Sequence, residues 1–192
     1  IVNNTGSVFT TAANYAVTLS DGTLSAANVK LVNADNGTGT INIASATSIS
    51  GTISDVLEIV NNTNSTFTTA ANYAVTISDG TATAANIKLI NADNGTGAID
   101  ISSVNAINGT ISDVLEIVNN TGSVFTTAAN YAVTISDGTA TAANIKLINA
   151  DNGTGAIDIS SVNAINGTIS DVLEIVNNTG SVFTTAANYA VT

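Results

Sequence analysis

The chain has 192 residues, of which 44% are hydrophobic and only 9% are charged, and its net charge is −11. Such an apolar content allows a packed core and excludes a disordered chain. Because cysteine and histidine are absent, disulfides, thiol chemistry and the commonest transition-metal ligands are excluded, and the acidic surface excludes nucleic acid as a partner.

One 58-residue unit is repeated along the chain, at 1–58, 59–116 and 117–174, and residues 175–192 begin a fourth copy. The second and third copies differ at only two positions. A unit with one Phe and one Tyr is poor in large side chains, so we expect neighbouring units to complete its core and all copies to form one continuous solenoid. Since the last copy stops inside a predicted strand, we expect the chain to be a window on a longer array.

A helix is predicted over residues 110–118. The apolar residues Ile111, Val114, Leu115 and Val118 have helical spacing, and Thr110 with Asp113 has the spacing of a variant capping box. Many residues of this segment are β-branched and the segment is short, so a strand is the alternative.

Three strands are predicted in the third copy. Residues 124–127 are the weakest of these, while residues 131–136 alternate apolar and small polar side chains as a half-buried strand does, and residues 157–160 repeat that pattern. Between them, residues 144–149 are compatible with a helix or with a strand that points Ile145 and Leu147 inward.

These elements predict an α/β solenoid, in which coils of parallel β-sheet have short helical crossovers. The alternative is an all-β right-handed solenoid. Each unit divides weakly into two strand-plus-crossover coils, which gives a rise of about 10 Å per unit from the spacing of adjacent strands.

The aromatic residues recur with the period of the unit. If identical units stack in register, each aromatic side chain lies on its copy in the next unit and forms a ladder in the core. The residues are Phe9, Phe67, Phe125, Phe183, Tyr15, Tyr73, Tyr131 and Tyr189.

One loop per unit has the oxygen-rich composition that calcium prefers, with Asp151, Asn152 and Gly153 in the third copy. Turn formation alone also explains an Asp-Asn-Gly sequence. Two interpretations stay open: calcium at Asp35, Asp93 and Asp151, or plain turns without metal. We expect no other cofactor.

An acidic pair also recurs, as Asp113 and Glu116 in the second copy. Two carboxylates on one helical face are compatible with acid–base chemistry. Catalytic pairs are not expected to be copied along a rod, however, so we expect helix capping and no enzymatic activity.

The segment Tyr131 to Ile145, Tyr-Ala-Val-Thr-Ile-Ser-Asp-Gly-Thr-Ala-Thr-Ala-Ala-Asn-Ile, resembles the strand–Ser-Asp-Thr-Ala-Ala-Asn-Leu repeats of very large secreted bacterial surface and adhesin-type proteins. This chain departs from them by inserting Gly138 and further residues before Ala-Ala-Asn, and it lacks their glycine-rich calcium-binding nonapeptides. The resemblance implies a secreted or surface structural role.

The sequence as a whole predicts a stiff structural rod of an extracellular filament, surface layer or adhesin stalk. Self-association into a filament or array is expected, and a surface glycan is a further candidate partner. No apolar run reaches the roughly 20 residues of a membrane span. The alternative function is a repeated glycan- or calcium-binding surface module.

Overall fold

The computed structural model describes residues 9–177 and 183–192. In these residues, strands and helices alternate along the chain in a repeating order. The strands are β1 Val17–Thr18, β2 Thr23–Ser25, β3 Ile41–Asn42, β4 Ser48–Gly51, β5 Phe67–Thr68, β6 Ala74–Ile77, β7 Thr81–Thr83, β8 Ile99–Ile101, β9 Ala106–Gly109, β10 Phe125–Thr127, β11 Ala132–Ile135, β12 Thr139–Thr141, β13 Ile157–Ile159, β14 Ala164–Asn166, β15 Phe183–Thr185 and β16 Ala190–Val191. The helices are α1 Ala26–Asp35, α2 Ile53–Val60, α3 Ala84–Asp93, α4 Ile111–Val118, α5 Ala142–Asp151 and α6 Ile169–Val176.

The short helices α2, α4 and α6 begin where the sequence predicts. Thr110 is the N-cap of α4, and its side-chain oxygen accepts a hydrogen bond from the backbone N–H of Asp113 at 3.2 Å. Ile111, Val114 and Ile117 are buried on one face of this helix. The predicted helix is therefore confirmed.

The long helices α1, α3 and α5 settle the ambiguous crossover. Residues 144–149 lie within α5, which begins with two alanines directly after the N-cap Thr141. Ile145 and Ile148 are buried, whereas Leu147 is 47% exposed. A strand would have turned Leu147 inward, so the all-β alternative is wrong and the α/β solenoid is confirmed.

The strands form four parallel sheets. Their orders are β1-β3-β5 in sheet 1, β10-β8-β6-β4-β2 in sheet 2, β15-β13-β11-β9-β7 in sheet 3 and β12-β14-β16 in sheet 4. Paired residues are 24 to 26 positions apart, as for Val75 with Ile99 and Ile49 with Val75. One coil of the solenoid therefore takes about 25 residues, and each strand pairs with strands of the neighbouring coils.

The coil does not divide evenly into the repeat. Two pairing steps cover 50 or 51 residues, as from Ile49 to Ile99 or from Leu24 to Val75, and the repeat is seven or eight residues longer. Each copy is consequently displaced by one strand position relative to the copy before it. The sheets run obliquely across the coils: the second copy ends sheet 1 at β5 and starts sheet 3 at β7, and the third copy ends sheet 2 at β10 and starts sheet 4 at β12.

The oblique sheets replace the expected aromatic ladders with mixed rows. In sheet 3 the inward row is Ala82, Ile107, Val133, Ile157 and Phe183, one residue from each strand of the sheet, and these five residues occupy five different positions of the 58-residue unit. Phenylalanine ends this row in sheets 1, 2 and 3, where it pairs with isoleucine and not with another phenylalanine.

The prediction that identical residues stack on one another in successive units is therefore wrong. The strands that begin with Phe67, Phe125 and Phe183 belong to sheets 1, 2 and 3, and the strands next to Tyr15, Tyr73, Tyr131 and Tyr189 belong to sheets 1, 2, 3 and 4. The physical reason is the extra seven or eight residues of each repeat.

Core filling by the aromatic side chains varies with position. Tyr73, Tyr131, Phe67 and Phe183 are buried, Tyr15, Phe125 and Tyr189 are half-buried, and Phe9 is 49% exposed. Around the aromatic residues, the core consists mainly of isoleucine and valine from strands and helices of successive coils.

None of the described helices has the length and apolar character needed to cross a membrane.

Candidate functional site

A hydrogen bond between tyrosine and aspartate lies at each predicted calcium loop. The hydroxyl group of Tyr73 donates to Oδ2 of Asp93 at 2.5 Å, and the hydroxyl group of Tyr131 donates to Oδ2 of Asp151 at 2.6 Å. Tyr15 and Asp35 form the same contact in the first copy. Burial first, and then the bond to the carboxylate, raises the pKa of both Tyr73 and Tyr131. The phenol therefore stays protonated and remains a donor.

A buried asparagine holds the backbone of the same loop. Nδ2 of Asn94 donates to the carbonyl oxygen of Tyr73 at 3.2 Å and to that of Gly97 at 2.7 Å. Its Oδ1 accepts from the hydroxyl group of Ser123 at 3.2 Å. Because Asn94 is fully buried, these bonds satisfy an amide that would otherwise be costly to remove from water.

The loops offer calcium few ligands in this arrangement. Each contributes a single aspartate, and one oxygen of that aspartate already accepts from a tyrosine. Across residues 9–177 and 183–192, no three Asp or Glu side chains come together in a group that could hold a metal ion. Calcium at Asp35, Asp93 and Asp151 stays a prediction, and the described contacts give these aspartates a role in the loop itself.

A second aspartate reaches back to the preceding coil. Oδ2 of Asp79 accepts from the backbone N–H of Ile53 at 2.5 Å, and Asp137 does the same for Ile111 at 2.6 Å. The aspartate thus caps the first turn of a helix that lies 26 residues earlier in the chain. Sequence reasoning missed this contact, although the Ser-Asp-Gly sequence recurs in all three complete copies.

The lysines connect each long helix to the short helix of the next coil. Nζ of Lys88 lies 3.0 Å from Oδ1 of Asp113 and 3.5 Å from Oε2 of Glu116. The hydrogen bond to Lys88 is the main cause that lowers the pKa of Asp113, and the Thr110 hydroxyl contributes further. The acidic pair is therefore engaged in an ion pair and in a helix cap.

A buried asparagine on the long helix adds a contact across the same interface. Nδ2 of Asn91 donates to Oε1 of Glu116 at 2.9 Å and to the carbonyl oxygen of Thr121 at 2.7 Å. Asn33 makes the equivalent bonds to Glu58 and Thr63. Oε2 of Glu116 thus lies beside Lys88, and Oε1 accepts from Asn91. The carboxylate is therefore held between two donors of the previous coil.

An open cleft lies where sheet 3 begins and another where sheet 4 begins. Sheet 3 starts at β7, and no strand of the described residues pairs with the outer edge of β7. The space between that edge and α2 is a cleft of about 420 Å³, and an equivalent cleft of about 390 Å³ lies between β12 and α4. Sequence reasoning did not find these clefts, because they arise from the mismatch between coil and repeat.

No protein-family model, no curated protein and no solved structure matches this chain.

Proposed function

We propose that this chain is a structural segment of an extracellular filament, surface layer or adhesin stalk, in which stacked coils make a stiff rod. The observation that carries the proposal is the density of bonding between coils. Parallel strand pairing, a shared apolar core, helix capping by Asp79 and the Lys88 ion pairs all join residues of successive coils. A solenoid stabilised by such nearest-neighbour contacts lengthens in proportion to its number of repeats.

A single unit is not self-sufficient in this arrangement. β10 of the third copy pairs with β8 of the second, and β6 of the second pairs with β4 of the first. Cutting the chain at the repeat boundaries therefore removes strand partners on both sides. An isolated residue 59–116 unit should be unfolded in circular dichroism and urea titration. A stable, cooperatively folding monomer of that unit would contradict the rod.

The rod is tested by lengthening it. We expect arrays of six and twelve units to give scattering curves of rods whose length grows by roughly 10 Å for each unit, from two strand spacings per repeat. Small-angle X-ray scattering gives the length and electron microscopy shows the form. An array that collapses into a globule of nearly constant diameter contradicts the proposal.

Self-association is part of the proposal. In sheet 3, β15 pairs with β13, and no described strand pairs with its other edge; β5 and β10 end sheets 1 and 2 in the same way, well inside the chain. Unpaired strand edges are templates for a further chain. Removal of residues 183–192 should reduce the free energy of association, measured by analytical ultracentrifugation, by more than it reduces the free energy of unfolding, measured by urea titration. Equal losses of the two free energies would argue against end-to-end stacking.

The proposal places the rod outside the cell, in keeping with the absence of cysteine and methionine and with the resemblance to secreted surface proteins. It includes no catalytic role, since the recurring acids are engaged by lysine, threonine and asparagine.

Calcium is checked by isothermal titration of the chain with CaCl₂. Heat that disappears in an Asp35→Asn, Asp93→Asn, Asp151→Asn variant would place the ion at the loops, and no heat in the parent chain would leave them as turns.

A further inference from the structure

We infer that the two clefts at the sheet origins are equivalent subsites for a neutral polysaccharide, a binding role that goes beyond the proposed rod. The first cleft is formed by Ile53, Ser54 and Leu57 of α2 on one side and by β7 on the other. The second repeats this arrangement with Ile111, Ser112 and Leu115 opposite β12. Their volumes lie in the range of small-ligand sites, about 300–1,000 Å³.

Polar groups without a protein partner converge on the cleft. The side chains of Ser54, Thr81 and Asn86 line it and make no hydrogen bond to other described residues, and Asn86 is half-buried. Hydroxyl and amide groups donate and accept hydrogen bonds, which matches the hydroxyl groups of a sugar. Leu57 and the buried Ile53 supply an apolar wall for the C–H face of a sugar ring.

The charge of the cleft excludes anionic ligands. Among the residues that the structure describes, Asp79 is the only ionisable one that lines the first cleft, and Asp137 is the only one that lines the second. The lysines are paired with acids on the helices and do not line either cleft. With a net charge of −11 on the chain, a sulfated or uronic acid polymer would be repelled, so the ligand class is a neutral glycan.

Repetition of the cleft favours a polymer. The two sites are built from the same residue types, 58 positions apart, and a polysaccharide offers identical units at regular intervals. Binding at two linked sites raises the overall affinity above that of one site. A peptide strand on the free edge of β7 is the competing occupant, but the edge is only three residues long and offers few backbone bonds.

Filling the clefts tests the inference. The Ser54→Phe, Ser112→Phe variant places a ring at the exposed rim of each cleft. The matched control is Ala92→Phe, Ala150→Phe, which adds the same rings on exposed positions of the long helices outside the clefts. A second variant, Asn86→Ala with Asn144→Ala, removes hydrogen-bonding groups without adding volume, and circular dichroism checks the fold of each.

The probes are dextran, β-1,3-glucan, mannan, galactan and chitin oligomers, with alginate, hyaluronate and a panel of hydroxyl-rich heptapeptides for comparison. We expect at least one neutral polymer to bind in affinity electrophoresis or calorimetry, at least about tenfold more tightly than its tetrasaccharide because two clefts engage it. Both cleft variants should weaken that binding by about tenfold or more, since they remove contacts at both sites, while the control keeps it. No binding of any neutral probe, binding unaffected in the cleft variants, or preference for the anionic polymers or peptides would overturn the inference while leaving the rod proposal intact.

Discussion

The carboxylate of Asp137 accepts a hydrogen bond from the backbone N–H of Ile111 at 2.6 Å, across 26 residues of chain. The aspartate belongs to a turn of one coil, and the isoleucine begins a helix of the coil before it. Local capping by Thr110 satisfies the N–H of Asp113, whereas the N–H of Ile111 depends on the next coil. The starts of α2 and α4 are therefore completed only when the following coil is in place.

Removal of this cap should loosen α4. We expect Asp137→Ala to lower the free energy of unfolding by about 0.5–2 kcal/mol, the usual cost of losing a helix cap. Amide hydrogen exchange should be faster at Ile111, because its N–H loses the acceptor. Urea titration and exchange measured by NMR check the two effects.

The first copy provides the control for this variant. Asp21 occupies the same position of the repeat, and no helix of the described residues precedes it. Asp21→Ala should change the free energy of unfolding by no more than about 0.5 kcal/mol, as for an ordinary surface position. A similar loss in both variants would show that the aspartate acts within its own turn and not across coils.

Alkaline pH should destabilise the protein through Tyr73 and Tyr131. Burial and hydrogen bonding to Asp93 and Asp151 raise the pKa of both phenols in the folded state above the unfolded value of 10.0. Their contribution is fully present below pH 10 and is lost as pH rises, because only the unfolded chain then releases the protons. Each buried phenol should lower stability by up to about 1.4 kcal/mol per pH unit above 10.

The tyrosine effect is separated from other titrations by substitution. Urea unfolding between pH 9 and pH 11.5 should show a steep loss in the parent chain and a flatter one in Tyr73→Phe, Tyr131→Phe. Tyr189→Phe, outside the two buried pairs, should keep the parent slope. A double variant with the parent slope would rule out these two residues as the origin of the alkaline loss.

The Lys88–Asp113 pair should be visible in the titration of a single carboxyl group. Lys88→Met removes the main cause that lowers the pKa of Asp113, so this pKa should rise toward its ordinary 3.8. The lowered pKa of Asp113 stabilises the folded chain at pH values above the ordinary 3.8, and this stabilisation is lost as the pH falls through the pKa of the folded state. NMR titration of the Asp113 carboxyl carbon measures the shift, and Lys30→Met, which removes the equivalent lysine of the first copy, should leave Asp113 unchanged.

Sequence patterns predicted the elements of this fold better than their relative positions. The helix over residues 110–118 follows from its apolar spacing and cap, and the strand over residues 131–136 follows from its alternation. The strands Thr139–Thr141 and Ala164–Asn166 were missed, because each contains a single buried apolar residue, Ala140 or Ile165, and one such residue shows no alternation.

The register escaped prediction for a different reason. An exact repeat indicates that equivalent residues are related by a constant displacement, but it does not fix how many residues make one coil. Val75 pairs with Ile49 on one side and with Ile99 on the other. The three strands that contain these residues have no sequence similarity that would mark them as neighbours. The candidate clefts depend on that register, so they could not be located before the strand pairing was known.

Glycine at position 155 should be required for the close approach of two coils. A Cβ atom at Gly155 would lie 2.1 Å from the carbonyl oxygen of Tyr131, whereas one at Gly138 would meet only Nδ2 of Asn163 at 3.9 Å. The backbone carbonyl cannot move away, because Nδ2 of Asn152 donates to it at 3.2 Å. Gly155→Ala should therefore force the coils apart and lower the free energy of unfolding by at least about 1–3 kcal/mol, while Gly138→Ala should change it by no more than about 0.5 kcal/mol. Urea titration of the two variants checks the difference, and equal stability would mean that the contact between Tyr131 and Gly155 does not set the spacing of the coils.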